Sequence, residues 1–269
     1  MDKTQQTPCQ YATGQITHRL AHELETPVAP EVTLCVEQML GAVRPLGVLF
    51  YGSGLRSGID EDTLLDFYVI VRRQSDWPRS WLACAVNAAL PPNVEYHELR
   101  VAGRVMRAKA AILTLAQLHA LTGFSSLNTT VWARFSQPVR LVWHYDAQAG
   151  DAITRCIVRA NVTAARWAAL LGPRKAAPTG FWDALYARTY KAELRVENGR
   201  RSSGLVEANQ ERYARMLLPC WQAAGIEFRD QDGEVAPAVS DRQRARAQRQ
   251  WGLRARLGRP LNILRLIQR

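Results

Sequence analysis

The sequence predicts an α+β protein: a small mixed sheet with flanking helices up to about residue 148, a mainly helical region from 149 to 240, and a basic amphipathic tail over 241–269. Three observations carry that expectation. Short apolar runs punctuated by glycine and proline fill the first half, alanine-rich stretches with helical spacing fill the second, and arginine crowds the end.

Residues 30–43 (PEVTLCVEQMLGAV) place Val32, Val36, Leu40 and Val43 on one helical side, and Pro45 stops the pattern. Residues 46–51 (LGVLFY) form an unbroken apolar run that ends at Gly52-Ser53-Gly54, the pattern of a buried strand entering a tight turn. A second buried strand is expected over 64–71 (LLDFYVIV), interrupted by one acid, Asp66. A helix over 79–90 closes at Pro91-Pro92, bulky β-formers mark a third strand over 93–101 (NVEYHELRV), and Gly103 turns the chain into 105–113. Beyond Gly123, helices are expected over 151–171, 181–197 and 205–224. Polar connections at 171–180 and 229–241 separate them, the second marking the boundary before the tail.

With 269 residues, 47% apolar and 22% charged, the chain can bury a real core. Its first residues (MDKTQQTPCQYATGQ) have no apolar signal region, and no run approaches the roughly 18–20 apolar residues that span a bilayer. The expectation is a cytoplasmic protein. Five scattered cysteines without a CxxC pair argue against a disulfide framework or a zinc site, and five histidines show no HExxH spacing. The formal charge of +11 calls for an anionic partner, and residues 242–269 hold nine arginines and no acid, so the tail carries +9 of it.

The residues with chemistry are Gly52-Ser53-Gly54 and Asp66. Small residues let backbone N–H groups and a hydroxyl approach phosphate oxygens, and an acid on the neighbouring strand can hold Mg²⁺ against the same phosphates. A plain turn and a structural carboxylate would use the same residues. An ionised acid inside an apolar strand needs a compensating partner, however, and a metal is a natural one.

A strand, a Gly-Ser turn and a second strand bearing an acid about a dozen residues on resembles the polymerase-beta-type nucleotidyltransferases. Four segments in order are also similar to the mitochondrial-type phosphatidate cytidylyltransferase family, the translocator-maintenance CDP-diacylglycerol synthases. Tyr51-Gly52-Ser53-Gly54 with Leu65-Asp66-Phe67 is the first, and residues 105–118 (VMRAKAAILTLAQL) are the second, placing Lys109 on a family lysine. Residues 131–139 (VWARFSQPV) match at Arg134, Pro138 and Val139; residues 181–197 match at Leu185, Tyr186, Tyr190, Glu193 and Arg195. The departures are Ala133 and Ala192 for glycine, Gln137 for lysine and Glu193 for aspartate, with a shorter connection after Leu90 and no histidine- and tyrosine-rich stretch around it.

That resemblance implies catalysis by Asp66, Lys109 and Glu193, and nucleotide binding by Tyr51, Gly52, Ser53, Gly54, Lys109, Arg134 and Arg195. It implies Mg²⁺ as cofactor, CTP and the anionic lipid phosphatidate as substrates, CDP-diacylglycerol and pyrophosphate as products, and a place on the inner face of a membrane. In the wider superfamily a second acid lies two residues from the first; here those positions are Leu64 and Tyr68, leaving Asp62, Glu95, Glu98 or Glu193. Glu95 is the expected second metal ligand, on the next strand. The proposed acceptor makes a sparse acid set sufficient, because a phosphate is already anionic at neutral pH and needs no general base.

Drawn as a helix, residues 251–269 gather Leu253, Leu257, Leu261, Ile263, Leu264 and Ile267 on one face and Arg254, Arg259, Arg265 and Arg269 on the other. With Trp251 at its start this is the pattern of a helix lying in an anionic headgroup layer, with Trp251, Arg254, Leu257, Arg259, Leu261, Leu264 and Arg265 as the contacts. Gly258 and Pro260 are expected to kink or split it, and packing on the body is the alternative. Other acceptors (a small molecule, a protein hydroxyl, an RNA end) and an inactive relative keep the same corner. A non-enzymatic nucleic-acid binder is disfavoured, since no RNP-like, KH or zinc-finger motif is present and Asp66 would have no purpose.

Overall fold

The computed structural model describes residues 7–60, 63–78, 80–89, 91–192 and 200–267. In chain order the elements are α1 (Pro8–Leu24), α2 (Pro30–Leu40), β1 (Gly47–Tyr51), α3 (Ser53–Ser57), β2 (Leu64–Val71), α4 (Trp81–Ala89), β3 (Asn93–Val101) and β4 (Arg104–Thr114). There follow α5 (Leu115–Leu121), α6 (Thr129–Phe135), β5 (Arg140–His144), α7 (Ala147–Leu171), α8 (Pro178–Ala192), α9 (Arg200–Glu207), α10 (Gln210–Ala223), β6 (Phe228–Gln231), β7 (Glu234–Pro237) and α11 (Asp241–Ile267). The fold is α+β, with a five-stranded mixed sheet flanked by helices and a mainly helical C-terminal region.

The chain divides into two compact units. The sheet unit takes in Leu20–Ala120 and Gln137–Cys156, and its strands run in the order β3-β4-β2-β1-β5. β2 lies parallel to β4, while β1–β2, β1–β5 and β3–β4 are antiparallel. Central β1 and β2 are apolar because both their faces are covered along most of their length. One face packs on α2: Val32, Cys35, Val36 and Leu40 join Val48, Phe50, Leu65, Phe67, Val69, Ala110 and Ile112 in a single buried cluster. Each large apolar side chain buried there contributes roughly 1.5–3 kcal/mol. α2 starts with Pro30 in its first turn and stops at Leu40 rather than at residue 43, because Gly41 takes a left-handed φ of 52° and its N–H donates to Glu37 O.

The helical unit gathers Leu121–Ser136 and Ile157–Asn262 with the chain start through Arg19. Its core is aromatic: Trp167, Trp182, Trp221, Tyr186, Tyr213 and Phe181 are fully buried. The indoles of Trp182 and Trp221 donate to Tyr213 O at 2.9 Å and Ala165 O at 2.8 Å, so these rings enter the core with their polar edge satisfied. The helix expected over 205–224 is two, α9 and α10, broken where Asn209 leaves helical dihedrals (φ −138°, ψ 35°). The stretch 229–241, expected as a connection, holds the β6–β7 hairpin, whose Asp232 and Gly233 both have positive φ (54° and 78°).

The final helix begins well before residue 251. Ser240 and Gln243 form a capping box: Ser240 Oγ accepts from Gln243 N at 3.2 Å, and Gln243 Oε1 accepts from Ser240 N at 2.8 Å. From there α11 runs through Gly258 and Pro260, where a kink or split was expected, to Ile267. Among the described residues no helix is long and apolar enough to cross a membrane.

Candidate functional site on the sheet

β1 ends at Tyr51, and the chain then bends at Gly52, whose φ of 96° favours a residue without a side chain. A second constraint acts at the same position. A Cβ on Gly52 would lie 2.8 Å from Asp66 Oδ2, so the glycine lets the backbone press against that carboxylate. Gly54 is buried for a related reason: a Cβ there would meet Leu65, Phe50 and Thr63 at 3.3 Å each, so α3 sits close on the sheet. Ser53, the first residue of α3, is exposed beside this corner.

The register sets what else faces Asp66. Tyr51 is opposite Asp66, Asp66 is beside Lys109 on the parallel strand β4, and Lys109 is opposite Tyr96 on β3. Directly paired residues project from the same face, so Tyr51, Asp66, Lys109 and Tyr96 form one row across four strands spaced about 4.8 Å apart. Asp66 and Lys109 are half-buried, whereas Tyr96 is 53% exposed, its hydroxyl donating to Glu98 at 2.9 Å. That bond and the Glu98 charge hold the Tyr96 phenol above its ordinary pKa. The tilted Tyr51–Tyr68 ring pair, 5.3 Å between centroids, closes the β1 end of the row.

Glu95 does not join this site. It pairs with Ala110, one residue along from Lys109, and the two-residue period of a strand turns it to the opposite face. There its Oε2 accepts from Trp77 Nε1 at 2.8 Å and lies 3.7 Å from His97 Nε2. The expected second metal ligand is therefore a structural partner of the α2-side core, and Glu98, two residues from Tyr96, is the acid that shares the Asp66 face. Arg107 stands beside it at 3.9 Å.

Arg134 belongs to the helical unit, half-buried on α6. Glu193 and Arg195 lie outside the described residues. Leu185 and Tyr186, which carried part of the family resemblance, are core residues of the helical unit, Tyr186 Oη lying 3.1 Å from Ser136 Oγ. Burial pushes the Tyr186 phenol well above its ordinary pKa.

Among the described residues no group of three or more His, Cys, Asp or Glu side chains gathers as a metal cage. One carboxylate against a glycine corner fits Mg²⁺ of a particular kind, the ion that reaches the protein on a triphosphate and needs only one or two protein carboxylates to complete its oxygen shell. Asp66 would be that ligand, with Lys109 beside it to meet phosphate charge.

The tail residues divide. Trp251 is 8% exposed, its ring 5.4 Å from Trp167 and 6.2 Å from Trp132. Arg254, also 8% exposed, donates through Nε to Ser126 O at 3.0 Å and through its terminal nitrogens to Phe124 O and Gln250 O at 3.3 Å, with its guanidinium 4.8 Å over the Trp167 ring. Burial lowers the Arg254 pKa. Both side chains are thus committed to the helical unit and are not free to contact lipid. Leu253, 57% exposed, points away from them. Leu257, Arg259, Leu261, Leu264 and Arg265 are on the α11 backbone, outside the residues whose side chains are described.

Tyr96 was missed as a site residue. Its sequence carries β-strand signal but nothing that places it on the Asp66 row, which depends on the β2–β4–β3 pairing. No protein-family model matches the sequence, and no curated protein matches it closely enough to count as a relative.

Proposed function

We propose that the Gly52–Asp66–Lys109 face is a Mg²⁺-dependent nucleotidyl-transfer site, with CTP as donor and the phosphate of phosphatidate as acceptor. The observation that carries the reading is the approach of Gly52 to the Asp66 carboxylate, on the same sheet face as Lys109. The choice of acceptor rests on the resemblance of the 51–67, 105–118, 131–139 and 181–197 segments, together with the lack of a carboxylate cluster among the described residues.

The chain's own residues have separate tasks. Gly52 and exposed Ser53 leave room for triphosphate oxygens at the strand end, where backbone N–H groups and a hydroxyl can donate to them. Asp66 supplies the carboxylate that meets that corner among the described residues. Lys109, about one strand spacing away, sets an ammonium charge beside the transferring phosphate. Mg²⁺, when bound, would be held by Asp66 and would supply neutralisation of the triphosphate charge.

An oxygen of the lipid phosphate bonds to the α-phosphorus, the bond from that phosphorus to the oxygen bridging to the β-phosphate breaks, and pyrophosphate departs with the electron pair. No proton has to be removed from the attacking group, so one carboxylate suffices where a hydroxyl acceptor would demand a base.

The test is incubation of the full chain with Mg²⁺, phosphatidate in detergent and each labelled nucleoside triphosphate in turn. A CDP-lipid and pyrophosphate are expected from CTP. Folded protein that forms no nucleotidyl-lipid from any of the nucleotides overturns the proposed acceptor.

A further inference from the structure

The helical unit contains a cleft of about 450 Å³ where the end of α7, one side of α8 and the start of α11 meet, lined among others by Leu171, Arg174, Arg188, Asp241, Arg244 and Gln248. Three guanidinium groups face one carboxylate, a balance of 3 − 1 = +2.

Each cation is held differently. Arg244 donates from its terminal nitrogens to Gly172 O at 2.9 Å and Pro173 O at 3.4 Å, while its buried Nε–H has no acceptor. Its charge is fixed in place by backbone carbonyls rather than cancelled by an acid in contact. Burial, with Arg174 adding to it, lowers the Arg244 pKa, as an incompletely neutralised cation requires. Arg174 meets Asp241 Oδ1 through one terminal nitrogen at 2.5 Å in a pair that is 75% exposed on both sides, so most of its donor fork remains open. Arg188 is exposed, and no carboxylate among the described residues pairs with it.

We propose that this cleft binds a phosphate monoester dianion. A dianion matches the +2 balance, its three oxygens suit guanidinium forks from more than one direction, and the open donors of Arg174 and Arg188 can reach it without disturbing the carbonyl anchors of Arg244. Asp241 is then the competitor that holds Arg174 when no ligand is present. The inference stands apart from the sheet site, since every lining residue named belongs to the helical unit.

The experiment is calorimetric titration of the full chain with glycerol 3-phosphate, and flotation on vesicles of phosphatidylcholine with and without phosphatidate. Arg188→Gln, an exposed change, weakens binding by about tenfold or more. Asp241→Asn, which removes the competing negative charge, strengthens it. Arg188→Gln leaves Mg²⁺-dependent CTP binding at the sheet site unchanged, so failure of the sheet site and failure of this one are told apart. Sensitivity of glycerol 3-phosphate binding to Arg188→Gln identifies a soluble ester as sufficient; sensitivity of phosphatidate flotation alone identifies the lipid headgroup; either result supports the site. Binding that is absent in both assays, indifferent to Arg188→Gln, or weakened by Asp241→Asn overturns it.

Discussion

At Gly52 two constraints coincide: a φ of 96° and a carboxylate oxygen 2.8 Å from where a Cβ would be. Alanine meets both at once, and a strained left-handed residue costs about 1–3 kcal/mol. Gly52→Ala is therefore expected to lower the urea midpoint by that order and to displace Asp66, reducing nucleotidyl transfer more than the stability loss explains; unchanged turnover in a folded variant would count against the site. Glu95 behaves oppositely. Because it faces the α2 side and accepts from Trp77, Glu95→Ala should leave Mg²⁺-dependent nucleotide binding intact and cost about 1–3 kcal/mol in stability. Loss of nucleotide binding with normal stability would return Glu95 to the metal.

Among the elements, α11 shows how a helix can serve two surroundings. Ala247, Trp251 and Arg254, at helical spacing of four and three residues, make the buried stripe, while Leu253 points outward. Trp251→Ala should cost about 3–5 kcal/mol in denaturant unfolding, because it vacates a site between Trp132 and Trp167. Leu253→Glu should leave that stability within about 0.5 kcal/mol, and flotation on phosphatidate vesicles weakened by it would assign the outward face of α11 to lipid. Equal flotation by Leu253→Glu would remove that face from the lipid contact. The tail illustrates what periodicity can and cannot tell. An apolar face is legible from spacing, but which face meets the body depends on Phe124, Ser126 and Trp167, distant in sequence.

The same contrast runs through the other elements. β2 and β3 begin and end where their apolar and β-branched runs do, since those signals are local. The β2–β4 parallel pairing that sets Lys109 beside Asp66, and the phase that turns Glu95 away, are non-local and leave no mark in either strand. Two further elements carry local signals of their own: Ala12, Ile16, Leu20 and Leu24 of α1 are all buried at four-residue spacing, and the Asp232-Gly233 pair is a strong hairpin turn.

Over the whole molecule, both units bury groups whose neutral form folding favours. Burial raises the Cys35 thiol in the sheet unit to about 11 and the Cys220 thiol in the helical unit to about 12, against an ordinary value of 9.0. A group whose folded pKa lies above its unfolded one contributes stability in full below the unfolded pKa and loses it as pH rises towards the folded one. The urea midpoint is thus expected to fall between pH 9 and about 11, and less steeply in Cys35→Ala. A midpoint flat across that interval would contradict the burial of these thiols.

The central claim is that Asp66 binds a nucleotide through Mg²⁺ at the Gly52 corner. Calorimetric titration of CTP into the 269-residue chain, with and without Mg²⁺, and into Asp66→Asn tests it most directly. The account predicts binding by the wild type only when Mg²⁺ is present, and loss of that Mg²⁺-dependent binding in a folded Asp66→Asn variant. Equal affinity of the two proteins for CTP in Mg²⁺ would contradict it.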